Sequence, residues 1–227
     1  MSNSVIKGNG TIVTFIGIIV MTVLIVIKLF MPESLFSGYA LIVGIAAFFV
    51  VEAVNKTPDD QSGVRFSTVI DDLKKPQVLF WVLLPVIITV IQIVAGKLFS
   101  EDSYRKYIEH VIGRTSLEMD FSNFIKWIGI SCVTVLGEEI AFRGFLYGKA
   151  SEVLPVWVCL LGSAVLFALG HMATGDSTIV FFDLLGIFID AIMYAIAFEK
   201  SGNSVISFIP HCLNNMLGLV LIRLLFM

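Results

Sequence analysis

Charged residues are scarce in this sequence, and their scarcity excludes most soluble folds. Only 15% of the 227 residues are charged, while 57% are hydrophobic. A soluble domain has about a quarter charged residues. The net charge of -3 is small and no basic tract occurs, so nucleic acid is not a predicted partner. The composition is typical of a polytopic membrane protein, and we predict one integral membrane domain over residues 1–227, surrounded by membrane lipid.

Cysteine is also rare. The three cysteines, Cys132, Cys159 and Cys212, all lie in apolar segments. Their number and spacing exclude a disulfide framework and a zinc ribbon. We therefore expect buried thiols that pack like alanine.

A signal-peptide cleavage site is missing as well. No A-x-A-like site follows the apolar run that begins at Thr11, and this run is about twice as long as a signal-peptide core. We expect a retained membrane anchor. The basic residues divide almost equally between the two predicted membrane faces, and they favour only slightly an N-terminus in the cytoplasm.

Long apolar runs dominate the rest of the sequence. A helix crosses the hydrocarbon core in about 20 residues. The sequence therefore predicts an all-α transmembrane bundle of about seven spans, with six to eight also compatible. The predicted spans are 11–30, 38–54, 78–98, 124–147, 154–172, 178–198 and 204–226. We expect residues 1–123 to supply N-terminal spans with amphipathic connections, and residues 124–227 to supply the helices that carry the catalytic motifs.

Two polar connections separate the early spans. Residues 55–77 form either a short interfacial helix or a solvated loop. In residues 100–122 the apolar side chains recur at helical spacing, which predicts an amphipathic helix on the bundle or on the membrane surface. Its position alone suggests that this helix gates a site in the bundle. We expect His110, in the same connection, to be solvated.

Two adjacent carboxylates and a guanidinium interrupt the fourth span, at Glu138, Glu139 and Arg143. Each charged side chain at the middle of a membrane helix costs roughly 2.5–3.5 kcal/mol, so such residues are paired, hydrated or functional. Glu139 and Arg143 are four residues apart and can pair on one helix face. Glu138 is turned about 100° away and is predicted to stay free of that pair.

Polar residues at helical spacing recur in the later spans. His171 follows Phe167 by four residues, and Asn215 follows His211 by four. A carboxylate in a dry environment is a stronger base than one in water and can take a proton from water. A neutral imidazole can orient that water, and an Asn amide can stabilise an oxyanion by roughly 3–4 kcal/mol. Together these groups suit peptide-bond hydrolysis.

A metal site is an alternative interpretation of the same residues. Glu138, His171 and His211 would supply the ligands of a hydrolytic zinc site with one open position. No H-E-x-x-H pair occurs in the sequence. The predicted cofactor is therefore either none or a divalent metal such as zinc.

Two aspartates share one face of the sixth span. Asp183 and Asp190 are seven residues apart. Either both line the same cavity as the histidines, or Asp190 bonds a neighbouring helix.

Three short motifs occur in order within the last four spans. They are E-E-x-x-x-R (Glu138, Glu139, Arg143), F-x-x-x-H (Phe167, His171) and H-x-x-x-N (His211, Asn215). This set resembles the motifs of the CPBP membrane proteases, which comprise CAAX-processing type II endopeptidases and the bacteriocin-processing or immunity proteins of the Abi family. The resemblance covers residues 124–226, and the first three spans match no motif.

The resemblance implies a role for each motif residue. Glu138 would activate water, His171 and His211 would bind that water or the substrate carbonyl, and Asn215 would complete an oxyanion site. The supporting residues would be Glu139, Arg143, Phe167 and Asn214. The implied enzyme is an endopeptidase of the bacterial cell membrane that acts on a peptide or a lipid-modified protein, in bacteriocin processing or in self-immunity. The resemblance does not decide between a metal and the glutamate alone, and no oligomeric state is predicted.

Two other functions stay open. A non-catalytic scaffold or immunity protein could retain the bundle, although it would not need all these polar groups. A proton-coupled transporter would use Glu138, Asp183, Asp190 and His171 as a relay, but no internal repeat supports it.

The predicted depth of His171 is a test of the shared site. His171 lies near the far end of its span, whereas Glu138 and His211 lie near the opposite side, a mismatch of roughly 12 Å. The catalytic interpretation therefore predicts that the fourth helix continues beyond Tyr147 or that the fifth helix is tilted.

Overall fold

The computed structural model describes residues 8–115 and 121–226, and these residues contain no β-strand. The predicted all-α polytopic bundle is confirmed. The α-helices are α1 (Gly8–Phe30), α2 (Phe36–Asn55), α3 (Val69–Leu73), α4 (Pro76–Phe99), α5 (Glu101–Thr115), α6 (Phe121–Glu138), α7 (Val156–Gly170), α8 (Ser177–Ser201) and α9 (Ser204–Phe226). A π-helical segment, Glu139–Lys149, continues α6, and 3₁₀ turns form at Asp59–Gln61 and Ala150–Glu152.

Five of these helices, α1, α2, α4, α8 and α9, are long and apolar enough to cross a membrane. α7 is apolar but has only 15 residues. The predicted fourth span is divided, because α6 ends at Glu138 and the π-helical segment begins at Glu139. The protein is an integral membrane protein.

The helices alternate in direction between two ends of the bundle. At the α3 end, the guanidinium of Arg65 donates to the carbonyl of Ser201 at the close of α8. At the α5 end, Arg105 donates to the carbonyl of Phe226 at the close of α9. Across the same end, Thr174, which follows α7, donates to Glu33, which follows α1.

The π-helical segment lies at the centre of the bundle. All of its residues except Gly148 are buried. Glycines on α1 and α2 allow its close approach: a Cβ at Gly17 would lie 2.5 Å from the Phe145 ring, and one at Gly44 would lie 2.7 Å from Ala141 Cβ. The first two helices, which carry no motif, therefore support the segment that carries Glu139 and Arg143.

The predicted helix boundaries change around the motifs. The fourth helix does continue beyond Tyr147, through Lys149 and into the turn that ends at Glu152. The fifth helix ends earlier than predicted, at Gly170, so that His171 follows the helix rather than lying within it. The continuation of the fourth helix is one of the two alternatives that the catalytic interpretation predicted.

The connections differ partly from expectation. Residues 55–77 form a 3₁₀ turn and the five-residue helix α3, a combination of the two alternatives. The predicted amphipathic helix is present as α5, where Ile108 packs against Ile93 and Phe226. Residues 116–120 of the predicted connection lie outside the described residues.

The cysteines are less uniform than predicted. Cys159 is buried, but Cys132 and Cys212 are partly exposed, and their sulfur atoms lie 3.2 Å apart. The expectation of three buried thiols was therefore wrong for this pair, which lies at the contact between α6 and α9.

Candidate active site

A cavity of about 1080 Å³ opens among the helices that carry the motifs. All four predicted catalytic residues line it: Glu138, His171, His211 and Asn215. The predicted supporting residues Phe167 and Asn214 line it as well. Glu139 and Arg143 lie behind its wall, where they are 0% and 1% exposed.

Glu139 and Arg143 form a fully buried ion pair. Arg143 Nη1 lies 3.0 Å from Glu139 Oε1, as the four-residue spacing predicted. The guanidinium also lies over two aromatic rings, 4.3 Å from the Phe167 centroid and 5.3 Å from the Tyr194 centroid. The ion pair gives Glu139 a counter-charge in a dry environment, and the ring contacts hold the guanidinium in place.

His211 joins the two motif glutamates. Its Nδ1 lies 2.7 Å from Glu139 Oε1, and its Nε2 lies 3.6 Å from Glu138 Oε2. Since an ionised Glu139 can only accept, Nδ1 donates the hydrogen, and in a neutral ring Nε2 keeps its lone pair toward Glu138.

The predicted contacts of the two glutamates were incomplete. Glu139 binds Arg143, as expected, but it also holds His211 more closely than Glu138 does. The reason is local. A π-helix has more residues per turn than an α-helix, so adjacent side chains diverge by less than 100° and both can reach one imidazole.

Aromatic rings fix the orientation of His211. The Tyr194 ring stacks on the imidazole with a centroid distance of 4.8 Å and an interplanar angle of 17°. The Phe167 ring meets the imidazole edge-on at 5.6 Å. The Tyr194 hydroxyl in turn accepts a hydrogen bond of 2.7 Å from Asn214 Nδ2. Sequence reasoning missed Tyr194, although its position four residues after Asp190 places it on the same helix face.

His171 reaches the cavity from the loop after α7. Its Nδ1 lies 2.9 Å from the carbonyl oxygen of Phe167 and therefore donates to it, which leaves Nε2 as an acceptor. Phe167 contacts both histidines, with centroid distances of 4.7 Å to His171 and 5.6 Å to His211. The short α7 thus brings His171 to the depth of the other motifs.

A second polar cluster lies at the α5 end of the cavity. Asp183 Oδ2 lies 2.8 Å from Arg114 Nε and 3.5 Å from His110 Nε2, and Tyr107 donates to its Oδ1 at 3.4 Å. The prediction that His110 is solvated was wrong: its side chain is 9% exposed, because this face of α5 points into the cavity. Burial raises the pKa of Tyr107, and the Asp183 carboxylate raises it further, so the phenol stays protonated. Asp190 lines the same cavity, as one of the two alternatives predicted.

The side chains do not fit a metal ion as they stand. Within residues 8–115 and 121–226, no three His, Cys, Asp or Glu side chains are grouped so that they could hold a metal. The possible ligand set of Glu138, His171 and His211 is therefore not grouped in this arrangement of side chains, and a metal at this site stays a prediction.

Comparison with known proteins agrees with the geometry of the motifs. Residues 120–217 match the sequence model of the Rce1-like family, described as type II CAAX prenyl endopeptidase Rce1-like. The resemblance to the CPBP family is thereby confirmed over this segment, which contains all three motifs. Neither a curated protein nor a solved structure matches the chain. The bundle is that of an integral membrane protein, and the family match supports an intramembrane protease.

Proposed function

We propose that the protein is an intramembrane endopeptidase in which Glu138 activates the water that cleaves a peptide bond. The observation that carries the proposal is the row of groups Arg143, Glu139, His211 and Glu138, with consecutive separations of 3.0, 2.7 and 3.6 Å. The row ends on the one glutamate of the pair that lines the cavity.

The chemistry follows from what each group can donate or accept. Glu138 takes a proton from a water molecule, and the water oxygen attacks the carbonyl carbon of the scissile bond. The amide of Asn215 donates to the oxyanion that forms. As the C–N bond breaks, the proton held by Glu138 passes to the leaving nitrogen, so water is consumed and Glu138 is restored.

His211 supports this step from a fixed position. Glu139, itself held by Arg143, accepts from Nδ1 and sets the tautomer, and the stacked Tyr194 ring sets the plane of the imidazole. Nε2 then faces Glu138 and the water beside it. Among the described residues, His171 Nε2 has no hydrogen-bond donor, and it accepts from the same water or from the substrate amide.

The proposed substrate is a membrane-associated peptide or lipid-modified protein. The description of the matching family favours a prenylated C-terminal peptide as the first class to test. A bacteriocin leader is the second, and processing and self-immunity would both use the same bond cleavage.

The test is cleavage of fluorescence-quenched peptides by the detergent-purified protein, with prenylated and unprenylated versions of one sequence. We expect wild type to cleave and His211→Ala to lose most activity, because the variant leaves Glu139 without its imidazole and Glu138 without its neighbour. A chelator arm and elemental analysis report on a metal. No cleavage of any peptide, or equal cleavage by both proteins, would contradict the proposal and favour a scaffold or immunity role.

A further inference from the structure

The amphipathic helix α5 forms one wall of the active-site cavity. Eight of its residues line the cavity: Tyr104, Tyr107, His110, Val111, Ile112, Gly113, Arg114 and Thr115. Unlike α4, α8 and α9, α5 is not a candidate span. It follows α4 after a single residue, Ser100, and its Arg105 binds the carbonyl of Phe226, the last residue of α9.

The carboxylate of Asp183 on α8 binds the polar face of α5. Asp183 on α8 has a side chain only 2% exposed, and its contacts with Tyr107, His110 and Arg114 span 2.8–3.5 Å. The three partners are spaced three and four residues apart, so they form one stripe of α5. In the part of the chain that the structure describes, every ion pair and hydrogen bond of Asp183 comes from α5.

A second contact closes the same wall against the loop that carries His171. A Cβ at Gly175 would lie 2.9 Å from His110 Nδ1, so the loop and α5 touch there without room for a side chain. The apolar side of α5 packs against α4 and α9: its Tyr104, Ile108 and Ile112 join Ile93, Leu221 and Phe226 in a cluster whose described members include no residue of α8. The polar contacts to Asp183 are therefore the main tie between α5 and the helix that carries Tyr194.

We propose that α5 is a lid over the active-site cavity and that Asp183 is the positioning residue that latches it. Substrate reaches Glu138 and His211 when α5 moves away from α8. In this open state the polar stripe of α5 contacts water instead of Asp183. That the cavity is a protease site rests on the proposed function, but the closing of the cavity by α5 does not.

A thiol placed inside the cavity reports the closure directly. Gly218 on α9 lines the cavity, and a Cβ there would meet no heavy atom within 4 Å. Gly218→Cys is made in a background with Cys132→Ser, Cys159→Ser and Cys212→Ser, and its labelling by a water-soluble maleimide is timed in detergent. Asp60→Cys, at an exposed position far from α5, controls for reagent reactivity.

We expect Asp183→Asn to speed labelling at position 218 by roughly 5–30-fold, the factor that one or two kcal/mol corresponds to. If Asp183→Asn does not fold, Arg114→Gln takes its place. It removes the partner of Asp183 on α5 and should also speed labelling. The matched control is Asp190→Asn, which alters a carboxyl on the same face of α8 that lines the cavity, and it should leave the rate unchanged.

Two results would overturn the latch. Labelling rates that are the same in wild type, Asp183→Asn and Arg114→Gln would show that α5 does not control access. Equal acceleration by Asp190→Asn would show general loosening of the bundle instead. Because no peptide is cleaved in this experiment, its outcome is independent of the outcome for the proposed function.

Discussion

At the scale of single residues, one buried carboxylate, that of Glu139, has two uses. Glu139 is 0% exposed, pairs with Arg143 and holds His211 through Nδ1. A buried ion pair offsets the cost of its own desolvation only when its geometry and extra hydrogen bonds are good. Here the extra hydrogen bond is the one that orients the imidazole, so stability and catalysis depend on the same carboxylate.

Glu139→Gln is therefore expected to destabilise the protein strongly. It leaves the Arg143 guanidinium, only 1% exposed, without a counter-charge. Removing one partner of a buried pair costs about 3–5 kcal/mol. Thermal or denaturant unfolding in detergent measures the loss.

The matched control for this prediction is Glu101→Gln. Glu101 also pairs with basic residues four positions away, Lys97 and Arg105, but at the surface of α5. A surface pair contributes little, so this variant should unfold close to wild type. Equal destabilisation by the two variants would contradict the role assigned to the buried pair.

At the scale of elements, the π-helical segment makes the site possible. α-Helical geometry would separate the two glutamates by a wider angle, whereas the π-helical start at Glu139 lets both approach His211. π-Helical segments are rare in proteins as a whole, but those that occur are often found at functional sites. The close packing of α1 and α2 holds the segment in this form.

Gly44→Ala tests that support. The new methyl group would lie 2.7 Å from Ala141 Cβ, which cannot move without the backbone of the segment, and 2.8 Å from the flexible end of Met21. Overpacking of this kind costs typically about 1–3 kcal/mol. We expect a lower unfolding temperature and reduced activity, since the segment carries Glu139.

Gly162→Ala is the control for Gly44→Ala. Gly162 lies within α7, and a Cβ there would meet nothing within 4 Å. Alanine favours a helix interior over glycine by up to about 1 kcal/mol, so this variant should be as stable as wild type or more so. A Gly44→Ala protein that unfolds like Gly162→Ala would show that α2 does not constrain the segment.

The sequence predicted the helical class, most helix positions and the Glu139–Arg143 pair, because these depend on hydropathy and on spacing within one helix. It could not predict that His211 contacts both glutamates. That contact depends on a π-helix, which a pattern of period 3.6 does not reveal. His110 and Tyr194 were misjudged or missed for a related reason: their partners, Asp183 and His211, lie on other helices, and only tertiary packing brings them together.

At the scale of the whole molecule, the alternation of the helices places the two connections on opposite sides. The first connection, with the 3₁₀ turn at Asp59–Gln61, comes before α4, and the second, α5, comes after it. α4 itself is a candidate span. With the N-terminus on the cytoplasmic side, as the basic residues weakly favour, the first connection is cytoplasmic and α5 faces the other side.

Cysteine labelling in whole cells tests this arrangement. We expect Asp102→Cys, exposed on α5, to react with a membrane-impermeant maleimide, and Asp60→Cys to react only after the cells are opened. Reaction of both positions from the same side would contradict a membrane-spanning α4. The reverse pattern would keep the fold and invert the orientation.

The most direct test of the central claim is the cleavage rate of Glu138→Gln relative to wild type, measured on protein matched for folded fraction. Loss of a general base predicts that kcat/KM falls by about 10²–10⁴ while the unfolding temperature stays near that of wild type, because Glu138 is outside the Glu139–Arg143 pair. Glu33→Gln, which alters another glutamate lining the cavity, should cleave normally. A Glu138→Gln protein that cleaves at close to the wild-type rate would contradict the account.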